Sequence, residues 1–132
     1  MAKIAGWTIT LISADVNAGD ISVKSFPSPD GIYSAEVFEE VGGGAISPFC
    51  FVLVAIHPKD VNLIKYKDYE KYQVYSDDCD SFKESSSPKI FWIENRTVEI
   101  NFATTLAQHM SRKMLIRSLD LSGQVKVKFI SE

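Results

Sequence analysis

The chain has 132 residues, a hydrophobic fraction of 45% and a net charge of −3. A chain of this size and composition forms one folded domain, residues 1–132, and intrinsic disorder is excluded. The negative balance argues against nucleic-acid binding through an extended basic face, and no apolar run reaches the roughly 18 residues of a membrane-spanning helix.

The first periodic stretch is residues 6–12, where Trp7, Ile9 and Leu11 alternate with Thr8, Thr10 and Ile12. Together with Lys3 it has a faint look of a secretion signal, but its β-branched residues fit a strand better, so a cytoplasmic protein is expected. Turn residues at 15–20 and a second strand at 21–26 predict a hairpin. Pro27, Pro29, Asp30 and Gly31 form the next turn. Tyr33, Ala35 and Val37 then alternate with Ser34, Glu36 and Phe38, a strand with one face towards the core. Gly42, Gly43 and Gly44 mark a corner rather than a phosphate cradle, because an apolar strand follows where a phosphate loop needs a helix. That strand, residues 49–56, is apolar throughout and reads as covered on both faces. His57 and Pro58 end it, since proline cannot donate to a ladder.

Residues 59–75 are ambiguous between helix and strand. Tyr66, Tyr69, Tyr72 and Tyr75 recur every third position, either as half-buried core or as exposed contact area. Residues 76–87 are polar and acidic and read as a surface loop. Residues 89–94 and 97–102 predict two strands about a tight Asn95-Arg96 turn, with Val98, Ile100 and Phe102 inward. Thr104 or Thr105 is an N-cap candidate for a helix over about 105–117, carried by Leu106, Ala107, Met110 and Met114. Arg112, Lys113 and Arg117 suit its C-terminal end. Val125, Val127 and Phe129 against Lys126 and Lys128 predict a final amphipathic strand. The expected fold class is α+β, mainly β. It is an antiparallel sheet or sandwich of about seven to eight strands with that one helix packed on it.

The Ser-Pro-Asp-Gly turn at 28–31, the Tyr33-x-Ala35-x-Val37-Phe38 strand, the glycine-rich corner, the long apolar strand and the 90–100 hairpin together resemble small bacterial immunity-type domains. These include the immunity proteins of contact-dependent growth inhibition systems and related uncharacterised families. The likeness covers roughly residues 26–102 and is one of pattern rather than of a diagnostic motif. It implies a cytoplasmic binding protein that neutralises a cognate toxin domain.

The search for chemistry returns little. His57 and His109 have no nucleophile motif beside them and suit surface or capping roles. Asp77, Asp78 and Asp80 lack the central glycine and terminal glutamate of a calcium loop, so neither a metal nor a cofactor is expected. Cys50, in the apolar strand, reads as a buried inert thiol; a disulfide with Cys79 is the alternative in an oxidising compartment. Charge is the stronger signal: residues 66–84 carry six acids against three lysines. Tyr72, Tyr75, Asp77, Asp78 and Asp80, with Glu39 and Glu40 as a second patch, are the candidate toxin-binding residues, poised to cover a cationic nuclease cleft. A solvated loop is the plainer reading of the same run, and a small ligand-binding or enzymatic domain with a dispersed site is the alternative function.

Overall fold

A computed structural model of the chain describes residues 8–13, 20–43, 49–78, 88–102 and 115–131. In order these form β1 (Thr8–Ser13), β2 (Asp20–Pro27), β3 (Tyr33–Gly42), β4 (Phe49–Pro58), α1 (Tyr66–Lys71), β5 (Gln73–Asp78), β6 (Lys89–Glu94), β7 (Thr97–Phe102), β8 (Leu115–Ile116) and β9 (Lys126–Ser131). The chain is α+β and mainly β. Among the described residues no helix is long and apolar enough to cross a membrane.

The turn between β2 and β3 forms as its residues dictate. Gly31 takes φ 74°, open to glycine without strain. Ser28 Oγ donates to Asp30 Oδ1 at 2.8 Å, and Ser28 N donates to Tyr33 O at 2.8 Å. The strands it joins belong to a six-stranded sheet of order β1-β2-β3-β4-β5-β8, antiparallel throughout. A second sheet has order β6-β7-β9.

The two sheets pack face to face. Tyr33, Ala35 and Val37 of β3 and Val52, Val54 and Ile56 of β4 meet Ile90, Val98, Ile100, Phe102, Val125 and Val127 in one core. The opposite face of the large sheet buries a second cluster, in which Val23, Phe38, Leu53 and Ala55 lie against Tyr69 of α1. β4 is therefore covered on both sides, as its uninterrupted apolar sequence requires. Trp92 Nε1 donates to the Phe26 carbonyl at 2.8 Å and so links the sheets. Replacing Trp92 by Phe removes that hydrogen bond together with part of the ring; a loss of about 1 kcal/mol or more is expected, read as a lower urea midpoint at constant slope.

Two expectations are corrected. First, Leu115 and Ile116 are not the end of a helix; residues 105–114 of the expected helix lie outside the described residues. Leu115 and Ile116 pair with Ser76 and Tyr75, and Arg117 N donates to Val74 O at 2.8 Å. The uncovered backbone edge of β5 supplies partners that outweigh local helix propensity. Second, the small sheet is not wholly antiparallel, because β9 runs parallel to β7. Between them the chain crosses to β8 on the edge of the large sheet, and it re-enters the small sheet in the direction of β7.

Candidate functional site

On the outer face of the large sheet, Glu40, Phe51 and Asp78 stand in one cross-strand row, since Glu40 pairs with Phe51 and Phe51 with Asp78. The segment 59–72 lies over the same face. Its helix begins where the Asp68 carboxylate accepts the backbone N–H groups of Ile64 at 3.0 Å and Lys65 at 2.9 Å. Those bonds, outweighing a small effect of burial, hold Asp68 below the usual carboxylate range. The tyrosine spacing then sorts the rings. Tyr69 turns down onto Phe38, with ring centroids 5.2 Å apart, and is buried. Tyr66 leans on Phe38 at 5.5 Å and Phe51 at 6.1 Å but stays 42% exposed. Glu70 follows Tyr66 by one helical turn. Burial, then the charges of Glu70 and Glu40, push the Tyr66 phenol above its ordinary value. Glu40, Phe51, Tyr66, Glu70 and Asp78 thus form one face with exposed aromatic area and carboxylates around it. Lys67 and Lys71 also sit on α1, so the acidic character is concentrated along the Glu40–Asp78 row.

The residues expected to bind a toxin are divided by this arrangement. Glu40 and Asp78 lie on the face, and Tyr72 is half-buried farther along it, its ring 6.0 Å from that of His57. Tyr75 is 2% exposed and packs between the sheets against Phe102, 5.6 Å away. Asp77 is also 2% exposed and accepts the Tyr75 hydroxyl at 3.3 Å and its neighbour Asp78 N at 2.8 Å. Neither Tyr75 nor Asp77 is available to a partner. Glu39 shares a row with Val52 and Asp77 and so points to the other side of the sheet from Glu40. Asp80 lies outside the described residues. The physical reason for the split is that β5 extends through Asp78, so its successive side chains alternate faces where a loop was expected. Tyr66, Glu70 and Phe51 were missed, although the four-residue step from Tyr66 to Glu70 carries the signal once a helix is placed there.

No family model, curated protein or solved structure matches the chain.

A second polar group sits deeper on the same face. Glu36 accepts Ser25 Oγ at 2.6 Å and Ser34 Oγ at 2.9 Å, and His57 Nε2 lies 3.3 Å from its Oε2. His57 Nδ1 donates to the Pro58 carbonyl at 2.8 Å. His57 is 4% exposed, so its expected surface or capping role is corrected: it is a buried partner of Glu36. Burial alone would raise the Glu36 carboxyl. The hydrogen bonds from His57, Ser25 and Ser34, with the charge of His57, outweigh burial and hold it below its ordinary value of 4.5. The stabilisation from Glu36 is therefore complete above that value and is lost as pH falls through the lower folded-state one. Both serines donate to the carboxylate rather than to the imidazole, which differs from the order of a nucleophile–base relay.

Cys50 is disulfide-bonded, which corrects the inert-thiol reading; Cys79 lies outside the described residues. Among the described residues no group of three His, Cys, Asp or Glu side chains is placed to hold a metal ion.

Proposed function

We propose that the chain is an immunity-type binding protein that neutralises a cognate toxin domain by covering a cationic active-site cleft. The observation that carries this reading is the face built from Glu40, Phe51, Tyr66, Glu70 and Asp78. An exposed tyrosine on an aromatic base offers a large contact area at low rotamer cost, the usual make-up of an interface anchor. Carboxylates around it steer a cationic partner into register. The sequence resemblance to immunity-type domains supports the same conclusion.

The test uses the toxin domain encoded in the adjacent reading frame. Changing Glu40, Glu70 and Asp78 together to Lys should slow association about 10-fold or more at low salt and flatten its salt dependence. Far-UV circular dichroism should be unchanged, because Glu70 and Asp78 are exposed and Glu40 is half-exposed. An unaltered association rate and salt slope would show that the toxin, if it binds, binds elsewhere.

A further inference from the structure

The Glu36–His57 pair lies beneath residues 59–72, which cross the outer face of the large sheet as a strap. Two backbone hydrogen bonds tie the strap to the sheet, Ile56 N to Tyr72 O at 3.1 Å and Lys59 N to Ile32 O at 2.8 Å. Its other ties are ring contacts: Tyr66 on Phe38 and Phe51, Tyr69 on Phe38 and Tyr72 against His57. Tyr69 OH donates to Leu63 O at 3.1 Å, a bond within the strap itself. We infer that this strap is a proton-released device: the Glu36–His57 pair keeps it seated, and protonation of Glu36 lifts it while the two-sheet sandwich stays folded.

The groups facing the pair are known from each element packed on it. Ser25 comes from β2, and Ser34 from β3. The strap contributes Tyr69, which feels the charges of Glu36 and Asp68, and Tyr72, which carries Lys71 against its ring at 5.5 Å. Lys24 of β2 pairs with Val37 and so belongs to the opposite face of the sheet. Among the described residues, Glu36 is the one carboxylate hydrogen-bonded to His57.

Acid converts this balanced pair into an unbalanced one. Both ring nitrogens of His57 face acceptor oxygens, Nδ1 the Pro58 carbonyl at 2.8 Å and Nε2 the Glu36 carboxylate at 3.3 Å. Beside ionised Glu36 the ring therefore carries both protons, and a proton added to Glu36 removes its counter-charge. His57, with its side chain 6% exposed, then holds a charge with no anion beside it. A buried unpaired charge is strongly unfavourable, and hydrating it relieves the cost. The strap is the lightest cover to move: the sheet on its other side is tied by ladder bonds and by the main core on its far face. The low folded-state value for Glu36 places the release below the ordinary carboxylate range.

Amide hydrogen exchange of the free chain, followed by NMR as pH is lowered, tests this directly. Protection of the Ile56 and Tyr72 amides should fall by at least about 100-fold relative to Val125 and Val127, the lower end of what one buried unpaired charge costs. Glu36→Gln should move the release to higher pH, because the carboxylate that balances the His57 charge is then absent at every pH. His57→Gln should abolish the acid release. The inference is overturned if strap and sandwich amides lose protection together, or if the two variants move the release in the same direction. If Glu36→Gln does not fold, the His57→Gln result alone decides. Loss of the face that bears Tyr66 and Glu70 on release rests on the proposed function, whereas amide exchange needs no partner and stands apart from it.

Discussion

Leu53→Ala should lower stability by about 2–5 kcal/mol, measured as a reduced urea midpoint with an unchanged slope. Leu53 is 0% exposed at the middle of β4, on the face where Val23, Phe38, Ala55 and Tyr69 close around it. Truncation removes three carbons from contact and leaves a cavity whose cost depends on how far the walls collapse. One wall here is the strap, held by few bonds, so partial settling places the expected loss at about 2–3 kcal/mol. Ile93, 51% exposed on β6, is the control: its alanine variant should change stability by less than about 0.5 kcal/mol. If the two variants were equally destabilised, the second core beneath α1 would not be packed as described.

Asp120→Ala should cost about 3 kcal/mol, because three donors lose their acceptor at once. Asp120 is 5% exposed and serves as the centre of the turn leading into β9. Its Oδ1 accepts the backbone N–H groups of Gln124 at 3.0 Å and Val125 at 2.9 Å, and its Oδ2 accepts Ser122 Oγ at 2.7 Å. Gly123 completes the turn at φ 77°. With its proton given to Asp120, Ser122 Oγ accepts the Tyr33 hydroxyl at 3.2 Å, so the turn is tied to β3 in the other sheet. Asp120→Asn keeps an acceptor for the two backbone groups and should cost about 1 kcal/mol. An alanine variant as stable as the asparagine one would mean that the carboxylate does not organise the turn.

The strands were legible wherever one face is buried, because burial writes a period of two into the sequence. Val98 to Phe102 and Val125 to Phe129 show it and face as their patterns predict. Tyr33, Ala35 and Val37 face the main core, but the other face of that strand is buried as well, through Ser34 and Phe38. β5 was hidden because its inward residues include Asp77, an acid buried against Tyr75, which reads as a break in the apolar period. The same disguise misplaced the candidate site: Asp77 and Asp78 look alike in sequence, and only the phase of the strand tells the core residue from the surface one. Tyr66 and Glu70 escaped notice because spacing of three does not reveal which ring a short helix turns outward. The Glu36–His57 pair joins residues 21 positions apart, and nothing local marks either as buried. The parallel pairing of β9 depends on the route taken by the chain through β8, which hydrophobic periodicity does not encode.

That pairing sets a kinetic order. Neighbours in the large sheet from β1 to β5 follow one another along the chain, so each can zip onto the strand just made. Thr97 and Lys126, aligned in the small sheet, are separated by 29 residues and a visit to the other sheet. Closing so long a loop forfeits chain entropy before any ladder bond is gained. Refolding should therefore proceed with an early meander and a late clasp, in which Val125 and Val127 seal the core only after the rest of it has formed.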